Sequence, residues 1–269
     1  MEKLDALGII AGSGVYPLLT AEAARRAGVS SITAVAFNGE TDPKLETLVD
    51  HIHWLRVGQL ARMHECFRTA GVHHAIMAGQ IAPKNLFDLR PDWKALLLLA
   101  RLKRRNAETI FGAIADGLAR DGIELLAATT FLEDSLAPRG LIAGGPLRKR
   151  DETDVALGIE IAHEISRLDI GQTVIVRNGT VLAVEAFEGT NEAIKRGGAL
   201  ARKRAVMIKV AKPNQDLRFD VPVIGLETIR VAAAANIRLI VVEAGKTLLL
   251  EKQQVLHAAE AAKITIVGR

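Results

Sequence analysis

Apolar and polar positions along the chain fall into a repeating pattern in the first half. Strand-like runs at Ala6–Ala11, Ile32–Phe37, His51–Arg56 and His74–Ala78 are separated by helix-like stretches, one running to about Ala27 and one over Gly58–Ala70. A further helix is expected from Ala107 to Asp121, leading into a last strand at Ile123–Thr129. Alternation of this kind predicts a parallel sheet covered by helices, a Rossmann-like architecture. The texture then changes. The segment APRGLIAGGPLRKR holds two Pro, three Gly and four basic residues, which reads as a linker. The division expected is a first domain over 1–137, a linker over 138–150 and a second α/β domain over 151–269.

The second half has another rhythm. Asp151-Glu152-Thr153-Asp154 opens a helix with acidic residues in its first turn, where the helix dipole favours them. Thr173–Val176 and Val181–Ala186 flank Asn178-Gly179, a hairpin signal, because this dipeptide tolerates the positive φ of a type I′ turn. A helix over about Glu192–Arg204, a strand at Ala205–Val210, an irregular segment Lys212–Asp220 and a helix near Glu227–Ala235 follow. Leu239–Glu243, Thr247–Leu250, a helix Lys252–Ala262 and Ile264–Val267 complete a mixed α/β domain.

Composition narrows the function. With 269 residues, 49% hydrophobic and 25% charged, the chain has the makeup of a folded globular protein. No apolar run approaches the ~20 residues that span a bilayer. The N-terminus lacks the shape of a signal peptide, and one cysteine, Cys66, suits a reducing compartment. A cytoplasmic protein is expected. Thirty-five Lys and Arg against 31 Asp and Glu give a formal net charge of +4, which suits an anionic substrate or membrane surface. Aromatics at 4% are too few for the stacking platforms of nucleic-acid binders.

Candidate chemistry gathers at a few places. Gly12-Ser13-Gly14, between a strand and a helix, can cradle a phosphate with backbone N–H groups. Pro17 departs from the dinucleotide fingerprint, and only Glu40 follows the second strand as a ribose ligand, so a nicotinamide-dependent oxidoreductase is a weaker alternative. Gly79 and Gln80 end another predicted strand and would lie near Gly12. Trp93–Arg105 is apolar, then strongly basic through Arg101, Lys103, Arg104 and Arg105. It reads either as a core helix with a solvated end or as a membrane-surface helix. The histidines, His51 and His53 on one strand face and the adjacent His73 and His74, form no zinc pattern. Glu185 and Glu188 flank the end of the hairpin, before Gly189 and Thr190, and Thr190 is equally a helix N-cap. Lys209, Lys212, Arg218 and Asp220 surround a Pro-flanked loop. Cations beside a carboxylate suit phosphoryl chemistry, and loop salt bridges would use the same residues.

Five segments, IIAGSGVYP, MAGQIAP, RLDIGQTVIVRNGTVLAVEAFEGTNEAIKR, KVAKPNQDLRFDVPVIGLETI and VEAGKTLLLEK, together resemble the UDP-2,3-diacylglucosamine pyrophosphatases of lipid A biosynthesis. The type resembled lacks the calcineurin-like fold, and the likeness runs over essentially the whole chain. It implies two domains with substrate held between them, and Mg²⁺-dependent hydrolysis of UDP-2,3-diacylglucosamine to UMP and 2,3-diacylglucosamine 1-phosphate. It further implies that Asp220, before Val221-Pro222, is the essential aspartate and the Mg²⁺ or water ligand. Gly12, Ser13, Gly14, Gly79, Gln80, Glu188, Gly189, Thr190, Lys209, Lys212 and Arg218 are the residues expected to bind substrate. Trp93–Leu102 is the candidate for an acyl-chain cleft or for contact with the inner membrane surface. A homodimer is the base expectation. A non-catalytic protein that captures a lipid or nucleotide remains the other alternative.

Overall fold

A computed structural model describes residues 4–81, 91–102, 107–213 and 215–269. The chain forms two compact units. Unit 1 comprises Met1–Glu133 together with Asp216–Asp220, and unit 2 comprises Asp134–Gln215 and Val221–Arg269. The family of strands expected in each half is present, so the fold is α/β, with a parallel sheet in unit 1 and a mixed sheet in unit 2.

In unit 1, β1 (Ala6–Ala11), α1 (Tyr16–Arg26), β2 (Ser31–Phe37), β3 (His51–Leu55), α2 (Leu60–Thr69) and β4 (His74–Ala78) follow the sequence pattern closely. α3 (Trp93–Arg101), α4 (Ala107–Arg120) and a short β5 (Glu124–Leu125) complete it. The parallel strands run in the order β3-β2-β1-β4-β5. β1 and β2 are buried along nearly their whole length, as strands covered on both faces must be, which explains why they read as unbroken apolar runs. The order reverses between β1 and β4, the place where open parallel sheets leave a crevice beyond their strand ends.

The last strand stops earlier than the expected Ile123–Thr129. The Ala128 N–H donates to Leu217 O at 2.7 Å and its carbonyl accepts the Tyr16 hydroxyl. Both backbone groups that would extend the ladder are therefore engaged elsewhere.

α3 resolves the ambiguity of its own sequence by being apolar on two faces. Asp92 caps it through Oδ1, accepting the Ala95 N–H at 3.0 Å, while Oδ2 accepts the Ala61 N–H at 2.6 Å and holds the start of α2. Ala95, Leu98 and Leu99 line an apolar groove in unit 1 with Met63, Ile110 and Phe111. Trp93, Leu96 and Leu97 are exposed. Among the described residues no helix is long and apolar enough to cross a membrane. Lys103, Arg104 and Arg105 lie outside the described residues, as do the Arg101 side chain and the end of the MAGQIAP segment.

Unit 2 contains β6 (Gly140–Ala143), α5 (Asp151–Arg167), β7 (Thr173–Arg177), β8 (Thr180–Val184), α6 (Thr190–Ala201) and β9 (Ala205–Lys209). β10 (Val223–Ile224), α7 (Leu226–Ala234), β11 (Ile237–Val242), β12 (Leu248–Leu249), α8 (Lys252–Ala261) and β13 (Thr265–Gly268) follow. Six strands lie in the order β6-β13-β11-β9-β7-β8, and β10 pairs separately with β12. β6 falls inside the segment read as a linker. Its backbone pairs antiparallel with β13, making Gly140–Ala143 an edge strand. α5 packs Val155, Ala162 and Ile165 against Val174, Val206 and Ile208 on one face of the sheet. Its acidic first turn does more than meet the helix dipole. Buried Asp151 pairs with Arg238, and Asp154 accepts the N–H groups of Asn178 and Gly179 at 2.9 and 2.7 Å. Those two residues take positive φ of 50° and 71°, as the hairpin requires.

β9, β11 and β13 are mutually parallel. β7 is antiparallel to β9, and β8 to β7, so β8 also ends at their carboxyl edge and β7 begins there. Thr173, Glu185 and Lys209 are therefore brought to one edge of the sheet.

Candidate functional site

In unit 1 the two glycine turns predicted from sequence meet back to back at the switch point. The Gly12 N–H donates to Ala78 O and the Ser13 N–H to Gln80 O, both at 2.7 Å, and the Ser13 hydroxyl also donates to Gln80 O at 2.7 Å. The approach is close enough to demand glycine. A Cβ on Gly79, whose φ is +91°, would stand 2.6 Å from Ser13 O, and one on Gly12 would stand 2.7 Å from Gln80 O. The Gly12 and Ser13 N–H groups are thus engaged with the neighbouring strand end. A phosphate here would meet the open side of the turn at Gly14, φ +83°, where nothing stands within 4 Å of a Cβ position. This geometry also weakens the dinucleotide reading, which needs those N–H groups for a pyrophosphate.

Tyr16, the only tyrosine of the chain, was not singled out by sequence. It is buried at the start of α1, and burial pushes its hydroxyl well above the ordinary tyrosine range. It donates to the Ala128 carbonyl. Ala128 in turn donates to Leu217 O, so one residue ties the glycine turn and the Asp216–Asp220 segment together within unit 1. Phe219 completes the attachment. Its ring centroid lies 5.8 Å from that of Phe111, and it packs against the core formed by Phe67, Met63 and Leu118. Asp220 closes the segment, donating its N–H to Asp216 O at 3.0 Å.

Arg218 does not stand as a bare cation. Its Nε lies 2.9 Å from Asp216 Oδ1 and its Nη2 2.6 Å from Oδ2. The guanidinium holds the Asp216 carboxyl below its usual range, and Asp216 raises the arginine in return. Arg218 and Asp220 belong to unit 1, whereas Lys209 and Lys212 belong to unit 2.

In unit 2 a polar cluster lies at the carboxyl edge of the sheet. Lys209 Nζ donates to Thr190 Oγ1 at 2.7 Å, and that hydroxyl donates to Glu185 Oε1 at 2.7 Å. The Gln172 N–H donates to Oε2 at 3.3 Å, and the Thr173 and Thr190 hydroxyl oxygens are 3.5 Å apart. Glu185, Lys209 and Thr173 are all buried. Burial pushes the Glu185 carboxyl up, but the Lys209 ammonium, the two threonine hydroxyls and the Gln172 N–H outweigh it and hold the group below its ordinary value. Glu185 was brought forward from sequence together with Glu188, whereas Thr173 and Gln172 were not.

Thr190 is not the helix cap. Gly189 occupies that position with φ 85°, and Thr190 is the first residue of α6, its hydroxyl drawn to Glu185 and Lys209. Glu188 is an exposed structural brace, accepting the Ala186 N–H at 3.1 Å and pairing with Arg196. Lys212 pairs with Asp169 at 2.6 Å.

Among the described residues no group of three or more His, Cys, Asp or Glu is arranged to hold a metal ion. Magnesium is commonly held by one or two carboxylates plus the phosphates of a substrate. Asp216 is bound by Arg218, and Asp220 is the other carboxylate of this segment. Cys66 is half-buried on α2, and burial pushes its thiol up, away from reactivity.

Two family models match the chain in order. The LpxI N-terminal domain covers residues 6–135 and the LpxI C-terminal domain residues 138–267. The UDP-2,3-diacylglucosamine pyrophosphatase LpxI of Caulobacter vibrioides is 30% identical over 273 residues, covering 97% of this chain and 96% of that protein. Among solved structures, the biotin carboxylase subunit of pyruvate carboxylase is similar at 13% identity and a TM-score of 0.28, over 69% of this chain and 38% of that one. The biotin carboxylase domain of Hydrogenobacter thermophilus 2-oxoglutarate carboxylase is similar at 11% identity and a TM-score of 0.29, over 75% and 42%. The chain spans less than half the length of both, and scores of this size establish no shared fold.

Proposed function

The chain belongs to the LpxI family, and from that membership we infer that it is a hydrolase that splits the pyrophosphate bond of UDP-2,3-diacylglucosamine in lipid A biosynthesis. The observation that carries this is the 30% identity to the Caulobacter enzyme over almost the full length of both chains. The substrate is accordingly a glycolipid. The products we propose are UMP and 2,3-diacylglucosamine 1-phosphate, formed when water adds to one phosphorus and the bridging P–O bond breaks.

Asp220 is proposed as the essential carboxylate, with Mg²⁺ as the cofactor it holds together with pyrophosphate oxygens. Bound there, the ion would neutralise charge that develops on the leaving phosphate. The remaining work falls to the protein's own side chains. The Tyr16–Ala128–Leu217 connection and the Phe219 anchor fix the Asp220 segment on unit 1. Lys209, hydrogen-bonded to Thr190 and buried beside Glu185, supplies a positioned positive charge, while Lys212 and Arg218 can trade their carboxylate partners for phosphate. The Gly14 side of the glycine turn is the proposed phosphate contact on unit 1. The apolar groove behind Leu98 and Leu99 is proposed to take acyl chain, since it is lined almost wholly by hydrocarbon.

The test is release of UMP from UDP-2,3-diacylglucosamine, with Mg²⁺ and with EDTA, for the wild type and Asp220→Ala. The expected result is Mg²⁺-dependent release that vanishes in the variant while substrate binding survives, because a metal or water ligand acts mainly on the transition state. More than a tenth of wild-type kcat in the variant refutes the assignment of Asp220. Absence of release from a folded wild type would leave the lipid-capture reading in its place.

A further inference from the structure

We propose that the outer face of α3 is the surface by which this protein docks on an anionic lipid bilayer. α3 has only nine residues, yet it is apolar on both of its sides. A helix on a soluble surface normally presents polar residues outward. Here the outward residues are Trp93, Leu96 and Leu97, with 62%, 55% and 50% of their surface exposed in the whole chain. The one charged side chain in the middle of this stretch, Lys94, is turned toward unit 1, where Nζ lies 3.1 Å from Asp121 Oδ2 and 3.3 Å from His64 Nδ1. Among the described side chains of α3, no polar group therefore interrupts the Trp93–Leu96–Leu97 face.

The face is held firmly, which separates it from a frayed segment. Asp92 caps α3 and α2 together, and the Lys94 contact ties α3 to the end of α4. At about 14 Å long the helix cannot span hydrocarbon, so a bilayer would receive it lying in the interface plane. Tryptophan favours that depth, where its ring meets acyl carbon and its N–H meets head groups.

Charge selects the occupant. The sequence continuing from this helix, Arg101-Leu102-Lys103-Arg104-Arg105, holds four cations and no anion. Such a run disfavours burial against a second apolar protein face and favours anionic head groups. The inner face of the same helix lines the apolar groove. This part of the argument rests on the lipid substrate inferred above, because acyl chains leaving a bilayer under α3 would meet that groove directly.

The experiment uses the full chain carrying Trp54→Phe, which leaves Trp93 as the sole tryptophan. Its emission is followed on phosphatidylcholine vesicles and on vesicles with 30% phosphatidylglycerol. The expected result is a blue shift and quenching by brominated acyl chains on the anionic vesicles only, weakened by 0.5 M salt. Leu96→Ser with Leu97→Ser in that background should lower vesicle affinity at least roughly tenfold. UMP release from substrate dispersed in detergent micelles should stay within twofold, which also shows that the variant folds. An unshifted Trp93 on anionic vesicles overturns the proposal. So does a double variant that binds as well as its parent. A lipid-free dimer that the double variant converts to monomer overturns it too, since the face would then join two copies. Docking without hydrolysis would refute the pyrophosphatase reading alone, and hydrolysis without docking would refute this one alone.

Discussion

Replacing Glu185 by glutamine removes one charge and almost no volume from the polar cluster at the carboxyl edge of the unit 2 sheet, and so isolates the electrostatic term. The carboxylate accepts from Thr190 and Gln172 and faces Lys209, which is 6% exposed. In the variant a buried ammonium keeps only a hydroxyl, and breaking a buried pair by removing one partner typically costs about 3–5 kcal/mol. A ceiling exists. An ordinary lysine sheds its proton at pH 7 for about 4.6 kcal/mol, and at pH 9 for about 1.9 kcal/mol, so the penalty should shrink by roughly a third to a little over a half as pH rises between those values. The assay is urea unfolding by far-UV circular dichroism at pH 7 and pH 9. Trp54 and Trp93 both lie in unit 1, so their fluorescence reports the transition of that unit separately. Adding Lys209→Met to Glu185→Gln should recover much of the loss, since the orphaned charge is then gone. The wild type has a further signature. The folded Glu185 carboxyl titrates below its ordinary 4.5, so its contribution is present above that value and is lost as pH falls through the folded one. The acid limb should accordingly be flatter in the variant. A loss under about 1 kcal/mol at pH 7, or a double variant no more stable than the single one, refutes the reasoning.

Three other outcomes are expected. Gly79→Ala places a Cβ 2.6 Å from Ser13 O at a φ of +91° and should destabilise unit 1 by roughly 2–4 kcal/mol, read by tryptophan fluorescence in urea. Phe219→Ala removes the ring packed on Phe111, at a cost of about 1–2 kcal/mol for a half-buried aromatic. Hydrogen exchange at 217–220 should rise and kcat should fall with KM little changed, because the Asp220 segment loosens. Asp154→Ala leaves the Asn178 and Gly179 N–H groups without their acceptor and should cost about 1–3 kcal/mol, with faster exchange confined to the β7–β8 turn; unchanged exchange there would remove Asp154 from that role.

What the sequence made legible was local. β1, β2 and β4 are buried on both faces, so their hydrophobicity is continuous and their limits are sharp. The β7–β8 hairpin announced itself through Asn178-Gly179, whose backbone needs are met by few other pairs. β6 escaped because a four-residue strand that starts on Gly140 and stops before Gly144, with Leu141 exposed, carries neither length nor alternation. The meeting of Gly12 with Gly79 was legible from the parallel-sheet rule, yet the rule could not show that the Gly12 and Ser13 N–H groups bind the neighbouring strand end. Asp216–Asp220 follows 215 residues of chain and joins a unit that otherwise ends at Glu133. The contacts that take it there, Phe219 on Phe111 and Leu217 on Ala128, are non-local, and no spacing encodes them. Thr190 shows the same limit at short range: a residue fit to cap a helix is diverted to a glutamate and a lysine from neighbouring strands.

The cations that spacing brought forward turn out to differ in kind. Lys212 with Asp169 and Arg218 with Asp216 are partly solvated ion pairs, and pairs of that sort contribute about 0–1 kcal/mol. The pyrophosphate of the proposed substrate, carrying two charges, would therefore displace either carboxylate at small cost, and the pair meanwhile keeps the unliganded cation in position. Lys209 cannot be exchanged in that way. It is buried, hydrogen-bonded to Thr190, and balanced by a carboxylate whose removal leaves a desolvated ammonium. Its charge is a fixed feature of the sheet edge, present before any ligand arrives and needing no rearrangement when one does. Preorganised charge of this kind stabilises a transition state more than a mobile pair does, because its orientation has already been set by folding. On the function proposed above, Lys212 and Arg218 are expected to act in recognition, where partner exchange tunes affinity and salt dependence, and Lys209 in the chemical step. Lys209→Met should therefore lower kcat and Lys212→Met should raise KM in the UMP-release assay, and the reverse pattern would refute this division of labour.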